Sequence, residues 1–500
     1  MSPAPSRSPS NRGRRLALLA ALLGWMFDGM EMGLFPLVGK DALRELLGGT
    51  PSQERLDLWY GVVMACFLIG AATGGVVFGW LGDKIGRVRA MTVSVLLYSL
   101  CSGLSAASGT PEELAALRFL GALGMGGEWA LGVALVMEVW PNTSRAWLAG
   151  WIGAFGNLGY TVCGLIALGL TKLGAGQLHD AITGVGLPLT WAEALTANRN
   201  WRLLMLLGAV PALLTLFIRL FVPESEKWVK AKAGGRASHW SGTDLFAVPG
   251  GAVAAGGVVS LWVVKDISFA ARVALSLVGL VAVTLGYLYP ARRYLDRSGL
   301  PPSAKRQTLR RMLLAAGLSG VPLLATWSAV MWMYQWVGKL PGGDVAEARP
   351  LIQIASSVGA AAGCLVAAML GGMIGRRAAY AGLCVASLAT VVGFYQLNTA
   401  YGPAFIVSAG LMGFVTAGFY GWLPLYLPEL FPTAVRATGQ GFGFNFGRII
   451  AAAGNLQMPA LLGFFGNDYG KACAVVAGVY FVGLVLIAVA PETKGQPLPD

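Results

Sequence analysis

Apolar residues run along this chain in blocks of about twenty, separated by short loops rich in arginine, glycine and proline. A helix rising 1.5 Å per residue needs a block of about that length to cross a hydrocarbon core about 30 Å thick. Twelve blocks stand out, near 15–38, 58–81, 89–109, 113–137, 146–170, 201–222, 312–336, 351–373, 379–397, 402–427, 437–463 and 472–490. They predict an all-α polytopic membrane protein of two six-helix bundles, residues 15–222 and 312–490, related by a pseudo-two-fold axis. The central segment 223–311 holds two weaker blocks, 246–264 and 268–289, which predict an extra helical pair. With that pair the count is fourteen spans; read as re-entrant or interfacial helices, the pair leaves twelve. Residues 1–14 and 491–500 are the expected cytoplasmic tails.

Composition narrows the class. Of 500 residues, 56% are hydrophobic and 12% charged, against about a quarter charged in ordinary soluble chains. Mean hydropathy is +0.64. Soluble enzymes, nucleic-acid binders and disordered scaffolds are excluded on these figures. The net charge of +13 has a topological reading instead: 23 of the 37 Lys/Arg fall on segments expected in the cytoplasm, and 11 on outer loops. Arg118, Arg219 and Arg448 lie inside spans. Such a basic excess on one side orients a membrane protein with both termini in the cytoplasm. Segments 223–245 and 291–311 are both basic, so an even number of crossings joins them. The apolar run after Arg12, Arg14 and Arg15 exceeds a signal-peptide core and is read as the first span. All six cysteines fall in spans without metal-ligand spacing, and the two histidines are isolated. No nucleophile elbow, phosphate loop or metal cluster is present among recognisable motifs, so no enzyme activity, metal or cofactor is expected.

A repeat organises the chain. Glu138-Val-Trp-Pro141-Asn-Thr-Ser-Arg145 and Glu429-Leu-Phe-Pro432-Thr-Ala-Val-Arg436 both read E-x-x-P-x-x-x-R, 291 residues apart. Gly86-Arg87 recurs as Gly375-Arg376, and Pro223-Glu-Ser as Pro491-Glu-Thr. Two parallel six-span halves are a transporter repeat. Together with Gly79-Trp-Leu-Gly-Asp83-Lys-Ile-Gly86-Arg87-Val-Arg89 between spans two and three, these motifs resemble the major facilitator superfamily over about residues 15–495. Pro223-Glu-Ser-Glu-Lys-Trp228 and Pro491-Glu-Thr-Lys-Gly495 are similar to its sugar-porter branch. Asp28-Gly-Met-Glu31, Gly126-Gly-Glu-Trp129 and Leu427-Pro-Glu-Leu-Phe-Pro-Thr433 resemble organic-acid:proton symporters of sialate, lactate and metabolite type. The resemblance implies alternating-access, proton-coupled symport of a monocarboxylate or acidic sugar, the proton serving as coupling ion.

Few charges lie deep. Among 24 Asp/Glu, only Asp28, Glu31 and Glu128 fall well inside spans, where an ionisable group is expensive and functional by default. Helix rise places Asp28 about 10 Å and Arg118 about 8 Å from the same outer edge, which predicts an Asp28–Arg118 pair with Glu31 on the same helix face. Neutralising that carboxylate with a proton is the expected switch; a static pair that fixes packing is the competing reading. Arg448 lies near mid-membrane without an acidic residue of its own half at that depth, so it is expected to bind a substrate carboxylate bidentately. Pairing with Asp28, Glu31 or backbone carbonyls is its alternative. Asn157, Tyr160, Trp332, Gln335, Tyr420, Asn445 and Gln457 are expected to complete the binding cavity.

Near the cytoplasmic mouth, Asp83, Arg87, Glu128, Glu138, Arg145, Glu429 and Arg436 are expected to form a gate that breaks as the carrier opens inward. The second-half loop Gly372-Met-Ile-Gly375-Arg376-Arg377 has no Asp, so its part of the gate is expected to be degraded. The partners expected are the lipid bilayer and an organic anion, with no nucleic acid and with the monomer as functional unit. A neutral-sugar porter or effluxer on the same scaffold, or a sensor that binds without turnover, are the rival functions.

Overall fold

The computed structural model describes residues 11–140, 145–234, 239–264, 267–343 and 346–499. Residues 1–10 of the expected tail, 141–144 of the first E-x-x-P repeat, and the side chains of Arg12, Arg14 and Arg219 lie outside that description.

Helices make up the fold, with no strand among the described residues. The first half holds α1 (Asn11–Leu46), α2 (Gln53–Ile85), α3 (Arg87–Ser105), α4 (Pro111–Val139), α5 (Arg145–Gly184), α6 (Leu189–Thr196), α7 (Trp201–Leu207) and α8 (Ala212–Phe221). Between the halves come α9 (Glu226–Ala233), α10 (Val248–Ser260) and α11 (Phe269–Arg297). The second half holds α12 (Pro302–Ser328), α13 (Met333–Trp336), α14 (Ala348–Ile374), α15 (Arg376–Leu397), α16 (Pro403–Thr416) and α17 (Gly418–Leu430). It ends with α18 (Arg436–Asn445), α19 (Gly447–Phe464), α20 (Tyr469–Ala477) and α21 (Val479–Ala488).

Twelve helical segments among the described residues are long and apolar enough to cross a membrane. The number equals the fallback count, but the membership differs. Both central segments qualify, Gly242–Ser260 and Ala270–Arg297, whereas the expected spans 201–222 and 437–463 are each broken into two shorter helices. The first break falls at Gly208–Pro211, where proline lacks the N–H an uninterrupted helix needs. At the second, Gly447 lies directly against the Gly320 backbone of α12, an approach that a side chain at position 447 would prevent.

Within the first half α4 packs on α2 and α3, and α1 on α5; in the second, α14 packs on α16 and α17, and α12 on α19. The halves meet along α5–α14 on one side and along α2 with α18 and α19 on the other. Leu213, Leu220, Val407, Phe464 and Val489 are exposed on the outside, as helices facing lipid require. The α10–α11 hairpin lies over the α2–α19 seam. Tyr287 and Thr73 hydroxyls are 2.7 Å apart, and Gln457 Nε2 donates to the Trp262 carbonyl at 2.7 Å. One hairpin is thus tied to both halves.

Residues 223–234, 239–245 and 491–499 meet the ends of α2, α4, α14 and α17 on one face, the proximal face. Here α2 turns into α3 at Gly86 (φ 115°) and α14 into α15 at Gly375 (φ 104°), backbone angles that favour glycine. The two turns occupy equivalent places in the repeat.

Candidate functional site

A cavity of about 130 Å³ lies between the halves. Asp28 (α1), Asn157 and Tyr160 (α5), Tyr420 (α17) and Arg448 (α19) line it, with a largely aromatic wall from Trp25, Trp129, Trp327, Tyr334 and Phe444. Trp129 stacks on Phe444 at 3.8 Å across the two halves. Most uncharged polar groups of the lining are spent on one another. Tyr420 Oη and Thr326 Oγ1 are 2.8 Å apart, Asn157 Nδ2 donates to the Gly153 carbonyl at 2.9 Å, and Ser357 meets Thr161 at 2.8 Å. The charged groups differ: Arg448 Nε and Nη1 and Asp28 Oδ1 are buried without a hydrogen-bond partner among the described residues. Arg448 lies 5.6 Å over the Phe444 ring and within electrostatic range of Asp28.

The deep carboxylates are arranged differently from the expected scheme. Arg118 pairs with Glu31, not with Asp28, and Ser102 Oγ donates to the other Glu31 oxygen. The Arg118 guanidinium also sits 4.7 Å over Phe67. Asp28 and Glu31 are three residues apart, about 4.5 Å of rise and about 60° of helix rotation. Depth arithmetic cannot separate them, but rotation turns Glu31 towards α3 and α4 and leaves Asp28 facing the cavity. Glu128 is not part of the proximal gate. It reaches Gly24 of α1, where the missing side chain makes room, and neighbours Asp28. Because α4 runs on to Val139, Glu128 lies about 16 Å from that helix end by its rise, too deep for the expected place at the mouth.

Four expected cavity residues are elsewhere. Trp332 Nε1 donates to Asn455 Oδ1 at 2.9 Å, and Gln335 sits beside it in α13, outside the lining. Asn445 Nδ2 donates to the Gly126 carbonyl at 2.8 Å, joining α18 to α4. Gln457 holds the hairpin.

The proximal face carries a two-fold ion network. Arg87 binds Asp83 at 2.8 Å and Glu138 at 3.1 Å; Arg436 of the other half reaches the same Glu138 oxygen at 2.9 Å. Arg376 binds Glu429 at 2.8 Å, and Arg145 of the other half reaches it at 3.0 Å. Ser225 donates to Glu138, and Thr493 Oγ1 to Glu429 at 2.5 Å. Glu224 accepts from the N–H groups of Arg87 and Val88, as Glu492 does from those of Arg376 and Arg377. Each P-E-S/T motif therefore caps the helix after the Gly-Arg turn and ties down the E-x-x-P glutamate. The sequence motifs contain Glu224, Ser225, Glu492 and Thr493 without giving them a place in the gate, and Arg376 enters only through the loop expected to be degraded; the parallel recurrence of the motifs is the available signal.

The two copies differ at one point. Asp83 accepts from Thr438 N at 2.8 Å and Thr438 Oγ1 at 2.7 Å, capping α18 from the other half. The equivalent Gly372 faces only Ala146. The second copy thus lacks the cap but keeps its ion pairs, so it is less degraded than its missing Asp implies. Deep burial pushes the Glu224 carboxyl up despite the N–H groups of Ser225, Val88 and Arg87. Burial raises Glu492 too, but donation from Arg376, Arg377 and Lys494 outweighs it and holds the group low. Acidification therefore neutralises Glu224 first. Glu429→Gln leaves Arg145 and Arg376 buried against each other. The expected loss is about 3–5 kcal/mol of stability, seen as a lower unfolding temperature in detergent, whereas Thr493→Ala is expected to lose about 1 kcal/mol.

Known proteins are similar to this chain over nearly its whole length. Residues 16–239 and 302–500 match the family described as "Sugar (and other) transporter"; the unmatched stretch contains the α10–α11 hairpin. A putative metabolite transport protein of Haemophilus influenzae is 26% identical over 485 residues, covering 96% of this chain and 97% of that one. A probable 4-methylmuconolactone transporter of Cupriavidus pinatubonensis is 26% identical, covering 95% and 90%. The sialic acid transporter of Escherichia coli is 25% identical, covering 97% and 96%. In fold, a proton:xylose symporter bound to 6-bromo-6-deoxy-D-glucose aligns with a TM-score of 0.68 at 16% identity, covering 97% and 98%.

Proposed function

The chain belongs to the sugar (and other) transporter family of the major facilitator superfamily, and on that premise we propose that it is a proton-coupled symporter of a small organic acid. The observation that carries this reading is Arg448: a buried guanidinium with two idle nitrogens in a cavity walled by aromatic rings. Leaving such a cation unpaired is expensive, and a carboxylate satisfies it through two parallel hydrogen bonds. The aromatic walls suit a compact, flat organic body. The acidic or lactone substrates named for the relatives from Cupriavidus and Escherichia fit the same chemistry.

Coupling follows from competition for one cation. With the cavity empty, the charge of Arg448 acts on the Asp28 carboxylate and favours its ionised form. A substrate carboxylate on Arg448 removes that support, and Asp28 beside Glu128 then takes up a proton, since two like charges this deep are not both tolerated. The Glu31–Arg118 pair stays fixed one turn away. The loaded halves rock, the proximal network breaks, and acid and proton leave together. The proximal face is then the cytoplasmic one of a cell-membrane protein, with both tails inside, and the monomer is the working unit. No catalytic residue, metal or cofactor is assigned.

A neutral-sugar porter is the second reading, favoured by the Pro-Glu-Ser and Pro-Glu-Thr motifs. A polyol needs several free donors and acceptors, whereas the hydroxyls of Thr326, Ser357 and Tyr420 are already engaged. Uptake into proteoliposomes under an imposed pH gradient, across organic acids and neutral sugars, separates the two. Acid accumulation that collapses with the gradient is expected; sugar uptake without acid uptake sinks the proposal.

A further inference from the structure

Below the cavity the two halves are joined by more than helices. After Pro491, whose carbonyl accepts from Tyr426 Oη at 2.7 Å, the chain runs back across the proximal seam. Arg145, from the first half, donates to the Gln496 carbonyl at 2.8 Å; Arg436, from the second, donates to that of Pro499 at 2.5 Å. These are the same two arginines that cross between halves to Glu429 and Glu138. Between the two anchor points Leu498 is only 4% exposed. It belongs to an apolar cluster with Trp25 of α1, Val133 of α4, Ile152 of α5, Ala368 of α14 and Leu425 of α17. Both halves contribute to that cluster, and Trp25 and Ile152 are also walls of the cavity.

We propose that residues 495–499 are a latch on the proximal gate, with Leu498 as a wedge that must leave before the cavity opens to that face. The physical reason is placement. Parting the halves separates Arg145 from Arg436, so the segment cannot keep both anchors, and it exposes Leu498 as the cluster divides. The ion network alone can reclose in any geometry that brings the charges together, whereas a side chain seated in a cleft holds one geometry. The segment reads in sequence as a polar tail, and Leu498 is its single large apolar residue beyond Gln496. The latch rests on the alternating-access reading but not on the identity of the substrate.

The test measures the gate directly. Spin labels at Arg89→Cys and Ala378→Cys, exposed sites at the starts of α3 and α15, report the spacing of the halves by pulsed electron resonance in lipid nanodiscs. Leu498→Ala is expected to raise the open-to-closed ratio at least about tenfold, the low end of the weight of one buried leucine side chain, and truncation after Lys494, which retains Glu492 and Thr493 but also removes both arginine anchors, to raise it further. Leu498→Met is expected to keep the closed distribution. If both the alanine variant and the truncation keep it as well, the latch is wrong. Acid uptake on the same proteins separates the two readings: a shifted spacing with no acid transported faults the substrate assignment alone, and normal uptake with unshifted spacing faults the latch alone.

Discussion

Arg448→Ala is expected to weaken acid binding at least about a hundredfold, because two charge-assisted hydrogen bonds are lost at once. Isothermal titration of the purified carrier with the acid identified by uptake gives the number. Arg448→Lys is the sharper variant. It keeps the charge but not the planar fork, so affinity is expected to fall about tenfold or more. Normal affinity in the lysine variant would rule out bidentate recognition. The structure adds a second expectation that most binding-site residues would not share. Arg448 Nε and Nη1 hold nothing in the empty cavity, so replacing the residue strands no hydrogen-bond partner, and Asp28, which loses the charge acting on it, is neutralised by a proton. Arg448→Met, of similar length and without the desolvated charge, is expected to unfold at a higher temperature while failing to bind. A variant that is both inactive and less stable would mean that Arg448 props up the fold.

Much of this architecture could be read from the chain because it is written twice. Arg87 and Arg376, Glu138 and Glu429, and Arg145 and Arg436 recur in parallel motifs, and the fold brings all six to one face in two-fold related pairs. Polar residues that occur once were harder to place. Asn445 and Gln457 lie on helices at cavity-like depth, yet each bonds a backbone carbonyl on a neighbouring element. Sequence shows that a polar side chain is buried but not whether protein or substrate satisfies it. Asp28 and Glu31 were confused because one helical turn is finer than depth arithmetic resolves. The break at 208–211 is invisible to hydropathy, which sums over residues and does not register the backbone donor missing at Pro211. Leu498 escaped for the opposite reason: one apolar residue in a polar tail makes no pattern.

Asp28→Asn carries the second large expectation. One pH unit of gradient is worth about 1.4 kcal/mol per proton, enough for about tenfold accumulation. A coupled carrier without its proton site is expected to lose all of that and equilibrate the acid to a ratio near one. Exchange of labelled for unlabelled acid across the same vesicles needs binding and rocking but no net proton movement, so it is expected to persist. The pair of measurements therefore separates coupling from folding and from recognition. Glu128 decides which carboxyl holds the proton, because it lies beside Asp28 and both are buried. If Asp28 is the carrier, Glu128→Gln keeps gradient-driven accumulation, since the neutral amide preserves the neighbour's shape. If the proton resides on Glu128, the outcomes exchange: the glutamine variant equilibrates and Asp28→Asn still accumulates. Loss in both singles with exchange intact means one proton is shared across the two carboxyls, and only undiminished accumulation in both removes the pair from the coupling mechanism.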